Sequence, residues 1–241
     1  TDKIDVWYLE AFCRNDSHDR DWHETVIPHR TRLLEASPDK KRLHLQSVTA
    51  DGVVVDHVIT ADVGEVDFRV RAVNPTSQPS TCHWAQPCVR VGDFTGFGDD
   101  TTDDAYAYLS KCFVFIDGKP VRMPFSPWAT EARYTPGQVW CPRGVPRTDV
   151  NPRPLSPIVP SNGLIGCFSS DEEWILATAW EPYQELFQGV IRCLHSDFRI
   201  GGLAPGQEKK CRGKIYILHG TIDDLLARYE EDFPEHVGDV P

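Results

Sequence analysis

Between Arg42 and Val73 three strand-like runs follow one another, Leu43 to Val48, Gly52 to Ile59 and Val66 to Val73, and this is the pattern that most constrains the fold. The last run alternates apolar and polar residues with period two, the signature of a strand with one buried face. Ala50-Asp51-Gly52 and Asp62-Val63-Gly64 supply turn chemistry between the runs, so an antiparallel meander is expected. Such a sheet needs a second layer to cover its apolar face. The expected fold class is therefore mainly β and antiparallel, with one C-terminal helix. At 241 residues the chain suits a single β domain over 1–241, with an irregular N-terminal segment at 1–40 and a long proline-rich loop at 124–160.

Charge narrows the partners. A net charge of −11 and a pI near 5.2 argue against nucleic acid and against an anionic membrane surface. No apolar run approaches the roughly 18 residues that span a bilayer, and no secretory h-region is present. A soluble chain, cytoplasmic or secreted, is expected. It opens on Thr1 and has one methionine, Met123, so a processed form or a fragment is the expected status and the oligomeric state is not legible. The eight cysteines are scattered, several inside apolar runs such as Lys111 to Ile116, and most are expected to be buried free thiols. No CxxC pair occurs, so neither a structural zinc site of the usual spacing nor another cofactor is expected.

Several segments hold residues that chemistry uses. His18, His23 and His29 lie in the charged opening, where Glu24 is a further metal ligand in principle. Pro28 breaks any helix that would align them, and a solvent-facing loop is the plainer reading. His57 sits inside the meander, where packing explains it as well as a cleft does. His83, Trp84, Gln86 and Arg90 crowd one short run, a density of ring, amide and guanidinium groups that suits a sugar; Trp84 as core and Arg90 as a surface cation is the structural alternative. Gly92 to Asp104 carries five aspartates; its spacing is not that of an EF-hand, and a solvated acidic loop is expected. Tyr106 and Tyr108 are expected on a strand at the cleft edge.

Cys112 to Met123 reads as a hairpin turning at Asp117-Gly118. The 124–160 excursion, with Trp128, Tyr134, Trp140, Arg143, Arg147 and Arg153, reads as a functional loop or lid that adds positive charge. Trp174 to Trp180 reads as a buried strand that ends in Glu181. A polar His195-Ser196-Asp197 loop and Leu203-Ala204-Pro205-Gly206 follow before a strand at Lys214 to Leu218. Thr221 is the expected N-cap of a helix to Glu230, with Asp223 and Asp224 complementing its dipole.

The meander leading through Asn74-Pro75-Thr76 to Cys82-His83-Trp84 resembles the galactose mutarotase (aldose 1-epimerase) family, where a strand ending in Asn-x-Thr precedes an Asn-His-aromatic motif. Trp180-Glu181 followed by Leu203 to Gly206 is similar to the family's catalytic glutamate and its Leu-x-Pro-Gly. The order agrees over roughly residues 40 to 220; Cys82 replaces the asparagine, and the family's His-Gly-Gly motif has no counterpart. The resemblance implies a β-supersandwich with a sugar cleft. It also implies His83 as the general acid at the ring oxygen and Glu181 as the general base at the anomeric hydroxyl. Trp84, Gln86, Arg90, Trp180, His195 and Asp197 are the expected substrate-binding residues. Two alternatives stand beside an epimerase-like isomerase: a polysaccharide lyase acting on a uronate, and a non-catalytic carbohydrate-binding module that uses Trp84, Trp128, Trp140 and Trp180 for stacking.

Overall fold

In the computed structural model, residues 3–98, 104, 106–123 and 133–236 are described. One sheet has five strands, β1 (Val6–Arg14), β2 (Val26–Ile27), β7 (Cys82–Arg90), β12 (Tyr183–Gly189) and β13 (Cys193–Arg199), in the spatial order β12-β13-β7-β1-β2. The other has nine: β3 (His29–Ala36), β4 (Arg42–Thr49), β5 (Val54–Asp62), β6 (Glu65–Val73), β8 (Cys112–Ile116), β9 (Lys119–Arg122), β10 (Ile165–Phe168), β11 (Trp174–Glu181) and β14 (Glu208–His219). They run in the order β3-β4-β5-β6-β14-β11-β10-β8-β9, and every pairing between strands is antiparallel. The helical elements are two single turns, α1 (Trp22–Thr25) and α2 (Gly92–Thr95), a C-terminal helix α3 (Ile222–Asp232) and short 3-10 turns.

The meander forms as its alternation requires. Val55, Phe68, Val70 and Ala72 point inward and pack with Leu176 and Ile215 against Phe12, Ala85, Val89, Leu194 and Phe198 of the smaller sheet. On the opposite face of the large sheet, α3 lays Leu225, Tyr229 and Phe233 over Phe113, Ile175, Ala177 and Tyr216. Thr221 caps α3: its hydroxyl accepts from the Asp224 amide while the Asp224 carboxylate accepts from the Thr221 amide at 2.8 Å. The β8–β9 hairpin turns at Asp117 and Gly118 with φ of 50° and 72°, the doubly left-handed turn that suits the twist of the strands.

Three expectations are corrected. The N-terminal segment is not irregular: β1 is an interior strand of the smaller sheet, between β7 and β2, and β3 is an edge strand of the larger one. Sequence periodicity hides both, because β1 is covered on both faces around Ala11 to Cys13 and β3 is exposed on both, so neither alternates cleanly. The His195-Ser196-Asp197 run is not a loop but the middle of β13, fully buried. The described part of the proline-rich excursion, 133–160, is a packed cover rather than a lid, with Val139, Cys141, Val145 and Val150 closing over Phe187. Residues 124–132, including Trp128, and residues 99–103 of the acidic loop lie outside the described residues.

All eight cysteines are buried free thiols. Among the described residues no helix is long and apolar enough to cross a membrane. His18 is spent on the Val150 carbonyl at 3.0 Å, His23 is exposed and His29 packs edge-on against Phe12, so the three share no ligand geometry. His57 is buried between the Tyr8 hydroxyl at 2.7 Å and the Ser47 hydroxyl at 3.2 Å, and burial pushes its pKa down to about 4.

Candidate functional site

Strand β11 runs in register with β14, Trp180 opposite Gly213 and Glu181 opposite Arg212. Trp180 points inward and stacks on Phe198 at 4.4 Å. Gly213 makes room for it, since a Cβ there would lie 2.4 Å from the indole. The alternation of a strand then turns Glu181 to the other face, at the sheet's rim. Its Oε2 meets His236 Nε2 at 2.6 Å. His236 Nδ1 is hydrogen-bonded to the Tyr229 hydroxyl, which in turn accepts the Gly163 amide at 3.0 Å. Phe233 lies parallel to the His236 ring, so the imidazole is held in plane as well as at both nitrogens.

Beside this chain of contacts opens a cleft of about 610 Å³, lined among others by Arg143, Asn162, Glu181, Tyr183, Arg199 and His236. Among the described residues of the lining Glu181 is the one carboxylate, and Arg143 and Arg199 are the arginines. Among the described residues only His236 hydrogen-bonds the Glu181 carboxylate, which leaves Oε1 available to a ligand. Glu181 also borders a second concavity of about 700 Å³ on the open half of the large sheet, where Arg69, Arg71 and Arg212 project.

Arg199 ends β13 and reaches the cleft from a fixed position. Its guanidinium donates to Asp149 Oδ2 at 2.9 Å and to Gln184 Oε1 at 2.6 Å. Asp149 is buried and also accepts the Asp16 amide at 2.8 Å. His83 sits behind this pair: its Nδ1 is 3.7 Å from Asp149 Oδ2, too long for a hydrogen bond, and it does not line the cleft. Burial pushes the His83 pKa down, Asp149 opposes that and Arg199 adds to it. Gly202, at φ 71°, packs so closely that a Cβ would lie 2.5 Å from His83 Nε2. The structure thus joins Glu181 to His236, and His83 to Asp149 and Arg199.

The remaining expected binding residues lie elsewhere. Trp84 and Trp180 are core residues, as is Trp140, so none of the three offers a stacking face. Arg90 lies over the Trp7 ring at 5.0 Å. Tyr134 is exposed beside Trp22, while Tyr108 is buried and donates to the Gly189 carbonyl at 2.6 Å. Gln86, His195 and Asp197 form a buried cluster on the covered face of the smaller sheet. His195 Nδ1 lies 3.2 Å from Gln86 Nε2 and 3.4 Å from Asp197 Oδ1, and Phe187 stacks on the imidazole at 4.2 Å. Burial, with the Asp197 carboxylate alongside, holds the pKa of Glu185 well above the usual range; burial pushes Asp197 up to about 7.

His236, Tyr229, Arg199 and Asp149 escaped the reading of the sequence. Only one signal pointed to His236: it follows an amphipathic helix that must fold back onto the sheet, which brings its C-terminal end to the ends of strands.

No protein-family model matches the sequence, and no curated protein matches it. Solved structures do. One, from Escherichia coli K12 and provisionally named an aldose 1-epimerase, is 10% identical over 90% of this chain and 84% of its own, at a TM-score of 0.48. A galactose mutarotase-like protein from Clostridium acetobutylicum is 10% identical over 90% of this chain and 79% of its own, at 0.42. A polysaccharide lyase is 12% identical over 86% of this chain but 24% of its own length, at 0.38. The structures similar to this mainly antiparallel β-sandwich thus include aldose 1-epimerase and galactose mutarotase-like proteins.

Proposed function

We propose that the chain binds a carbohydrate in the Glu181 cleft and performs acid–base chemistry on it, as an epimerase-like isomerase. The observation that supports this most is the Glu181–His236 contact of 2.6 Å at the wall of a cleft of about 610 Å³. Moving a proton on a sugar needs a carboxylate that is accessible on one side and oriented on the other. Glu181 meets both needs: Oε1 takes a hydroxyl proton, while His236, fixed by Tyr229, orients Oε2 and exchanges a proton with it. Asn162 and Tyr183 supply polar and ring contacts for the sugar, and Arg199 a charge-assisted donor. With both of its nitrogens engaged, His236 positions Glu181 and does not take the ring-oxygen acid role that the resemblance assigned to His83; water in the open cleft supplies that proton.

A second reading is favoured by one feature. Among the described lining residues Arg143 and Arg199 share the cleft with one carboxylate, an arrangement that suits a uronate; β-elimination would use the arginines to neutralise the uronate carboxylate while Glu181 takes the C5 proton, a C4–C5 double bond forms, the C4–O glycosidic bond breaks and water protonates the departing oxygen.

Polarimetry of freshly dissolved aldoses and ultraviolet absorbance with uronate polymers separate the readings. Accelerated mutarotation lost in Glu181→Gln supports the isomerase, and a rise in absorbance with the same loss supports the lyase. Sugar-dependent tryptophan fluorescence with neither signal means a binding module and overturns the catalytic reading. Loss of turnover in His83→Ala but not in His236→Ala returns the proton partner to His83.

A further inference from the structure

The covered face of the smaller sheet holds a cluster that the cleft does not use. Val89 pairs with Leu194 across β7 and β13, so Cys88 faces His195 directly, and Cys193 lies two residues before His195 on the same side. The two sulfurs and the imidazole nitrogen all lie within 4.8 Å of one another, with Cys193 Sγ 3.2 Å from His195 Nε2. We propose that Cys88, Cys193 and His195 form a zinc site that staples β7 to β13, independently of the chemistry proposed at Glu181.

Four observations carry it. The first is donor set and size: two thiols and an imidazole suit a borderline-soft cation, and a tetrahedral zinc with bonds of about 2.3 Å to sulfur and about 2.05 Å to nitrogen spaces its ligands about 3.6–3.8 Å apart. Small side-chain rotations bring the three atoms to that spacing. The second is orientation. His195 turns Nε2 toward the sulfurs and Nδ1 toward the Gln86 side-chain amide at 3.2 Å and Asp197 Oδ1 at 3.4 Å; with the ring proton on Nδ1, donated to the carboxylate as in metal-bound histidines, Nε2 faces the metal, and Phe187 stacked at 4.2 Å holds the ring plane.

The third is room. Gly189 backs the cluster, and a Cβ there would lie 2.4 Å from Cys193 Sγ and 3.4 Å from His195 Nε2. The fourth is polar satisfaction. Asp197 Oδ2 and both oxygens of Glu185 are buried with no hydrogen-bond partner among the described residues, a polar setting that favours a bound cation over an apolar core. Binding balances in charge: each thiol releases its proton to solvent as its sulfur–zinc bond forms, so two protons leave and the divalent ion with two thiolates is neutral. A water molecule completes the coordination. The site falls outside sequence motifs because its ligands come from two strands more than a hundred positions apart in the chain.

The test uses the full chain, with zinc content measured by elemental analysis after purification and cobalt substituted into chelator-treated protein. One zinc per chain, two protons released per zinc added, and a thiolate-to-cobalt charge-transfer band with tetrahedral ligand-field intensity are expected. Cys193→Ala abolishes the band, Asp197→Asn weakens zinc binding roughly 10–100-fold, and Cys211→Ala, on β14 of the large sheet, leaves the band intact. Should Cys193→Ala fail to fold, the proton release and the cobalt spectrum of the unmutated chain still decide. The proposal is overturned by chelator-treated protein that takes up no zinc, by a Cys88–Cys193 disulfide in the purified chain, or by a cobalt band that persists in a folded Cys193→Ala protein.

Discussion

Glu181 and His236, 55 positions apart, meet at 2.6 Å because α3 folds back across the large sheet and delivers the residues after it to the end of β11. The neighbouring Glu235 pairs with Arg212, the cross-strand partner of Glu181, so two adjacent side chains tie the turn after α3 to the sheet rim. On the proposed mechanism, Glu181→Gln lowers sugar turnover roughly 10²–10⁴-fold with little change in sugar affinity, the range general acid–base groups contribute. His236→Ala lowers it less and shifts the pH profile. Turnover constants with direct binding measurements check both, and a Glu181→Gln protein at full rate would sink the assignment.

Arg199 and Asp149 are paired at 2.9 Å with Asp149 buried, so removing the acid leaves Arg199 and the Asp16 amide without their shared partner. Asp149→Ala is expected to cost about 1–3 kcal/mol, and Arg199→Ala in the same chain to restore part of it. Urea unfolding of the two single variants and the double variant measures the coupling. A loss below about 1 kcal/mol would mean that the pair behaves as an exposed one.

His57 sets a pH dependence. Its folded pKa is pushed down to about 4 by burial, against about 6.5 for an unburied histidine, so between those values the unfolded chain holds a proton that the folded chain does not. Stability from this group is fully present above pH 6.5 and falls as the pH drops toward 4, by roughly 3 kcal/mol in all. His57→Gln is less stable at neutral pH but flatter across that window. Equal acid slopes for the two proteins in urea titrations would contradict the role.

Gly213 is a packing residue. A methyl group there would lie 2.4 Å from the Trp180 indole, whereas one at Gly144 would meet nothing within 4 Å. Gly213→Ala is expected to destabilise by about 1–3 kcal/mol through overpacking, and Gly144→Ala to stay within about 0.5 kcal/mol. Thermal melts of the pair check this, and the prediction fails if the two shifts match.

Thr221→Ala removes one half of the capping box of α3 and is expected to cost about 1 kcal/mol. Because Tyr229 lies on α3 and holds His236, the variant also loosens the Glu181 site, seen as faster hydrogen exchange at the His236 amide. Unchanged exchange there would show that the site is held without the helix end.

The meander, the Asp117-Gly118 hairpin, the Thr221 cap and the position of Glu181 at the end of a buried strand were all legible in the amino-acid order. Each depends on local chemistry: period-two alternation, left-handed turn residues, a hydroxyl three residues before a carboxylate. What surrounds Glu181 was not legible. His83 lies close in motif but behind Asp149 and Arg199 in space, while His236 comes from beyond the last helix. His195 and Asp197 look like a polar loop in the sequence, yet β13 buries them together with Cys88, because the pairing of β7 with β13 brings their polar side chains to one covered face. Sequence alone therefore determined that this chain makes a mainly β fold and that Glu181 ends a buried strand. Tertiary structure decided which histidine reaches it, since strand order and the fold-back of α3 set distances that no local pattern encodes.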